Sequence, residues 1–102
     1  MSNGVTVTVS IELKPKHVDS FFNEMLPQLQ KRTIVFPGVR AARAVRQEAQ
    51  PNKVLFIDIF ETVVAVDAYF RWREERGDLE MLSELLSSPP RIEVWPLSSE
   101  AT

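Results

Sequence analysis

Three residues in this sequence combine polar chemistry with an apolar setting: Asp58, Tyr69 and Trp72. Asp58 interrupts the run KVLFIDIFE (53–61), which is otherwise dense in Val, Ile and Phe. A carboxylate buried there is costly unless it is paired, so it is either half of an ion pair or a working group such as a general base. Arg43 and Arg46 on the preceding segment are the candidate partners for a structural pair. Tyr69 and Trp72 stand three apart on a helical segment and point the same way. Their O–H and indole N–H both want partners if buried, so they either pack a core or line a pocket. Phe21, Phe22 and Met25 offer a matching apolar wall. His17, the sole histidine, sits at a helix start and reads as solvated. There is no cysteine, which excludes disulfides, thiolate zinc sites, iron–sulfur clusters and a cysteine nucleophile. One histidine excludes a multi-histidine metal site within a single chain.

The elements that must position these groups follow from periodicity. Residues 5–13, VTVTVSIEL, alternate apolar and polar and predict a strand. Lys14-Pro15-Lys16 ends it, and residues 16–35 switch to helical spacing through Val18, Phe21, Phe22, Met25, Leu26 and Leu29. Pro27 inside that stretch predicts a kink or a break. Phe36-Pro37-Gly38 is a turn. Residues 39–48 could be strand or helix, but their place between that turn and Gln50-Pro51-Asn52 favours a strand, in an antiparallel hairpin with 53–61. The latter reads as buried on both faces. Thr62 is the expected N-cap of a helix over 63–76 whose stripe is Ala65, Ala68, Tyr69 and Trp72, with Arg71, Arg73, Glu74, Glu75 and Arg76 solvating the rest. Gly77 ends it, Asp78 can cap a further short helix through Leu79, Leu82, Leu85 and Leu86, and RIEVWPL (91–97) gives a last strand at an edge. Trp95 there is expected to pack against a sheet or a second copy, and the tail 98–102 to fray.

The order β-α-β-β-α-(α)-β is the α+β, ferredoxin-like plan, an antiparallel sheet with its helices on one face. The 102 residues make a single domain, with a core over about 5–97. The other sheet face is left without a helix, and an uncovered apolar face predicts a homodimer packed sheet to sheet. A net charge of −2, and a first strand without aromatic residues, argue against nucleic acid as a partner. No apolar run reaches the roughly 20 residues needed to cross a bilayer, so no membrane is expected. Met1-Ser2-Asn3-Gly4 does not look like a signal peptide, and a cytoplasmic location is the expectation.

From Val5 to Leu97 the chain resembles the antibiotic-biosynthesis monooxygenase family of dimeric α+β barrels, which includes quinol and haem-degrading monooxygenases. The features that carry the resemblance are the opening strand running to Leu13-Lys14-Pro15-Lys16, the Phe36-Pro37-Gly38-Val39 turn, the hairpin Arg46 to Lys53, and VLFIDIFET. In that last run Asp58 stands for the acid and Phe60 for the Trp of the family's Glu-x-Trp-x-Ser stretch. The resemblance implies a pocket between each sheet and its helices, and oxidation of an aromatic or quinol-type small molecule by molecular oxygen with no cofactor and no metal. The substrate supplies the electrons, and the protein supplies an apolar cavity, orientation and a polar group that favours the anion. Two departures matter. Tyr69 stands where the family's helix His would be, and a tyrosine is a poor base near neutral pH. Val9 stands where the haem-degrading branch has Asn, so no haem ligation is expected. Tyr69, Asp58 and Trp72 are then the candidate catalytic residues, and Phe21, Phe22, Met25, Phe60 and Val9 the candidate substrate-binding ones. Two alternatives stay open: a non-catalytic dimeric ligand-binding or scaffolding protein, and an isomerase or cyclase of the same barrel type using Asp58 as base.

Overall fold

The structure is a computed structural model that describes residues 4–99; the expectations for Met1 to Asn3 and for the last three residues of the tail lie outside them. Four strands, β1 (Val5–Glu12), β2 (Val39–Arg46), β3 (Lys53–Phe60) and β4 (Arg91–Trp95), form one antiparallel sheet in the order β2-β3-β1-β4. Alternation in β1 sets the faces. Val5, Val7, Val9 and Ile11 are buried under the helices, while Thr6, Thr8, Ser10 and Glu12 point away. Register then fixes the neighbours: Val7 lies opposite Asp58 and Val9 opposite Phe56, with Ala42 and Ala44 on the far side of β3.

The first helical stretch begins with a 3₁₀ turn, Pro15–His17, and α1 (Val18–Ser20), passes through a π-helical turn, Phe21–Met25, and continues as α2 (Leu26–Ile34). The break expected at Pro27 takes this form. Pro27 sits in the first turn of α2, where no N–H is required, and the wider turn upstream absorbs the disturbance. α3 (Val63–Glu75) is capped as expected, with the Ala65 N–H donating to Thr62 Oγ1 at 3.1 Å. Losing that cap in Thr62→Ala is expected to cost about 1 kcal/mol in urea unfolding. α4 (Asp78–Glu84) follows at once, but its cap is Gly77 in the left-handed region at φ +78°, not Asp78, whose carboxylate is engaged elsewhere. α4 is anchored by Lys14 N–H to Leu85 O at 2.9 Å and the Leu13–Leu86 bridge.

All helices cover one sheet face. Phe21, Phe60, Leu13, Val7 and Val66 are the fully buried side chains between the layers. β3 is therefore not buried on both faces. Val54, Asp58 and Phe60 are buried, whereas Leu55, Ile57 and Ile59 are only half-buried on the helix-free side. There they run beside Ala41 and Val45 of β2 and Thr6 and Thr8 of β1. Trp95 joins this face, half-exposed, with its Nε1–H donating to Thr8 Oγ1 at 3.0 Å. β4 ends at Trp95, with Pro96 just beyond.

The turn at Gly38 holds α3 close to the sheet. Gly38 has φ +90°, and a Cβ there would lie 2.7 Å from Ala65 Cβ. Gly38→Ala therefore combines an unfavourable backbone with a clash, and an expected loss of about 1–3 kcal/mol can be read from a urea titration.

Candidate functional site

A cavity of about 130 Å³ lies between the sheet and the helices. Val9, Ala42, Phe56, Asp58 and Ile92 form its floor; Met25, Leu29, Gln30 and Thr33 form one wall, and Tyr69, Phe70 and Arg73 of α3 the other. α4 closes the remaining side with Asp78, Leu79, Met81 and Leu82. Met81 and Ile92 are both 43% exposed, so the cavity is open to solvent on their side. Strand alternation aims Asp58 inward. Its neighbours in the ladder, Val7 and Ala42, are apolar.

Of the residues singled out from sequence, Asp58, Tyr69, Met25 and Val9 line this cavity. Phe60 is wholly buried beneath Tyr69, with ring centroids 5.3 Å apart. Phe21 packs edge-on against Phe22 at 5.4 Å and against Phe56 at 6.4 Å, and so backs the cavity wall. Phe22 carries the Arg46 guanidinium 4.0 Å above its ring. Trp72 turns to the other flank of α3, 5.1 Å from Phe36, with the guanidinium groups of Arg73 and Arg76 stacked at 4.8 and 5.1 Å. Phe21, Phe22, Phe60 and Trp72 are not among the cavity's lining residues.

Asp58 does not form the ion pair considered from sequence. Arg43 pairs with Ile57, which puts its side chain on the opposite face, and only its backbone N–H reaches Asp58. Arg46 Nε donates to Pro51 O at 2.6 Å. Among the described residues no salt bridge to Asp58 forms, and it is 6% exposed. Burial pushes its carboxyl up to about 6, against the smaller downward pull of the Arg43 N–H and the Arg73 charge. A carboxyl titrating there can accept a proton at neutral pH and return it.

The sequence reading placed Arg73 on the solvated face of its helix; it is 4% exposed. Val66, Tyr69 and Arg73 form the buried stripe, and Ala68 is exposed. Arg73 Nε donates to Tyr69 Oη at 2.9 Å, Nη1 to Asp78 Oδ2 at 2.8 Å, and Nη2 to Leu29 O and Thr33 Oγ1 at 3.1 and 3.0 Å. Thr33 Oγ1 lies 2.9 Å from Leu29 O and gives that carbonyl its one proton. Tyr69 must therefore be the donor in its 2.8 Å bond to Thr33. Burial works against the Arg73 charge, but the bonds to Asp78 and Tyr69 outweigh it and hold the guanidinium above its ordinary value. Asp78 also bonds Arg76 Nε at 3.2 Å; burial pushes its carboxyl up, but the two arginines together hold it below the usual carboxylate range. Arg73, Thr33 and Asp78 are the polar residues that sequence reasoning missed. The available signal was the spacing: Arg73 falls four after Tyr69 and seven after Val66.

Neither a known sequence family nor a curated protein matches the chain. Solved structures do. A conserved protein from Methanosarcina mazei Go1 superposes with a TM-score of 0.82 over 93% of each chain at 18% identity. An antibiotic biosynthesis monooxygenase superposes with a TM-score of 0.81 over 93% of this chain and 99% of its own at 14% identity. A protein of unknown function from Nitrosomonas europaea reaches 0.78 over 97% of this chain and 93% of its own at 21% identity. The resemblance read from the sequence holds at the level of architecture: this chain has the α+β ferredoxin-like fold of antibiotic biosynthesis monooxygenase-like proteins.

Proposed function

We propose that the protein is an oxidoreductase that inserts one atom of dioxygen into a phenolic small molecule in the cavity between sheet and helices, with Asp58 as the acid–base group and no bound cofactor. The observation that carries this reading is a buried carboxyl without an ion-pair partner among the described residues, raised to about 6 by burial, on the floor of a cavity walled largely by apolar side chains. The fold it shares with a named monooxygenase agrees with it.

The chemistry balances on a phenol with a free ring position. Asp58 takes the hydroxyl proton. The phenolate passes one electron to dioxygen, and the phenoxyl radical and superoxide join in a carbon–oxygen bond. Asp58 returns the proton to the resulting peroxide. Loss of the ring C–H proton to Asp58 then breaks the O–O bond and expels hydroxide, which takes that proton. The products are a quinone and water, one oxygen atom in each. The apolar walls hold the ring, and Arg73, fixed by four bonds, supplies a stationary positive charge on the wall of the same cavity. The test is oxygen uptake by the purified protein with a panel of phenols, hydroquinones and anthrones. Uptake with stoichiometric quinone is expected. Ligand binding without uptake would move the protein to the binding reading, for which Tyr69, its proton already committed to Thr33, is the favouring observation.

The same reading includes a homodimer through the helix-free sheet face, supported by the half-buried strip Leu55, Ile57 and Ile59 with Trp95 at its margin. Sedimentation equilibrium at micromolar concentration is expected to give twice the chain mass, and Ile57→Glu to give the single mass. A monomeric wild type would remove this part of the proposal. Among the described residues no helix is long and apolar enough to cross a membrane.

A further inference from the structure

The helix-free sheet face carries its charges in rows that the ladder fixes. Residues directly opposite one another point to the same face. Arg43 of β2 lies opposite Ile57, Ile57 opposite Thr8, and Thr8 opposite Glu93 of β4, so one row runs across the sheet with a cation at one border and an anion at the other. Three strand spacings, about 14 Å, separate those two charges within a chain. Arg43 is exposed and forms no salt bridge among the described residues; Glu93 pairs only with Arg91, two residues back on its own strand, at 3.2 Å. Two rows along, Lys53 stands opposite Glu12, again without a salt bridge among the described residues. One row the other way, small Ala41 at the β2 border answers large Trp95 at the β4 border, through Ile59 and Thr6.

A two-fold axis parallel to the strands and midway between β3 and β1 maps every row onto itself with its borders exchanged. β2 then lies over the partner's β4, and β3 over the partner's β1. Arg43 meets the partner's Glu93, Lys53 meets the partner's Glu12, and Ala41 leaves room for the partner's Trp95. An axis across the strands instead stacks each strand on its own copy. Centred on the Thr8 row, it sets Arg43 on the partner's Arg43; centred between the Thr8 and Ser10 rows, it sets Lys53 on the partner's Ile59. We infer that this face selects a second copy of the chain turned about the strand-parallel axis, with Arg43 and Glu93 pairing between subunits at both borders. Packed sheets stand about 10 Å apart with strands within about 30° of each other, a gap that arginine and glutamate together span.

This rests on the sheet-face homodimer proposed above, and charge reversal separates the two. Sedimentation equilibrium is run at low ionic strength, where exposed charges are least screened, on Arg43→Glu, Glu93→Arg, their equimolar mixture and the double variant. Each single variant sets two like-charge contacts in its own dimer, and its dissociation constant is expected to rise at least tenfold. The mixed dimer and the double variant restore opposite charges at both borders, and each is expected to fall within about threefold of the wild type. The two positions stand at opposite borders of one chain, so rescue by mixing reports contact between chains. Should either reversal unfold the chain, Arg43→Gln and Glu93→Gln give the same answer as a double-mutant cycle, in which the combined loss is expected to be smaller than the product of the two single losses. A mixture as weak as its folded components, or independent glutamine losses, would overturn the inference and leave the dimer standing. A monomeric wild type would remove both.

Discussion

Replacing Arg73 with methionine lowers the stability of the protein by about 3–5 kcal/mol, the usual cost of removing one member of a buried ion pair. Methionine fills much of the volume, so little of the loss comes from a void. The loss comes from what is left behind: Asp78, 11% exposed and without its strongest partner, the Tyr69 oxygen, and the Thr33 and Leu29 oxygens. A domain of this size has about 5–15 kcal/mol in total, so the variant is expected to melt on the order of 10–30 °C lower. Arg73→Lys is expected to fail nearly as badly, because an ammonium cannot reach four acceptors on α2, α3 and α4 from one planar fork. Urea unfolding followed by circular dichroism decides the matter. A loss under 1 kcal/mol would mean that the network is not what ties these three helices together.

Asp58→Asn has the opposite effect on stability and the larger effect on chemistry. The folded carboxyl titrates at about 6 and the ordinary value is 3.8. The folded protein therefore binds more protons than the unfolded chain between those values. The contribution of Asp58 to stability is therefore fully present below about pH 4 and is lost as pH rises through about 6, whereas that of Asp78, held low by its arginines, is lost as pH falls. The rise corresponds to about 3 kcal/mol that ionised Asp58 costs the fold at neutral pH. Asparagine removes that charge, so the variant is expected to gain about 1–3 kcal/mol at pH 7 and almost nothing at pH 4. Its kcat/KM for oxygen-dependent turnover is expected to fall by about 10²–10⁴, the range for a positioned acid–base group. In the wild type the same constant is expected to climb with pH through about 6, and in the variant to be flat there. A variant that is both less stable at pH 7 and fully active would show that Asp58 is a structural residue.

The strand–helix order, the Thr62 cap, the edge position of the last strand and the helix-free face were legible in the sequence because each depends on local spacing and turn chemistry. Asp58 was legible as an anomaly, a charge in an apolar strand, but its lack of an ion-pair partner was not. Whether Arg43 reaches it depends on a strand register that carries Arg43 to the other face. Arg73 was misread because a charged residue among Arg71, Glu74 and Glu75 looks solvated until its position relative to Val66 and Tyr69 is weighed more heavily than its charge. Its burial depends on acceptors from Leu29 and Thr33, some forty residues earlier in the chain. Phe22 and Trp72 were expected at the cavity, yet each stacks under an arginine instead, a pairing that helical spacing alone does not report.

The brevity of β4 governs how copies of this molecule can accumulate. It offers five residues of ladder, begins after Pro89-Pro90 and stops before Pro96, so an incoming strand would find two ends that cannot donate and little between them. The far border, β2, carries Arg40, Arg43 and Arg46 and would repel its own image. Lateral growth into ribbons or fibrils is thus disfavoured at both borders, and crowding should yield finite particles in place of threads.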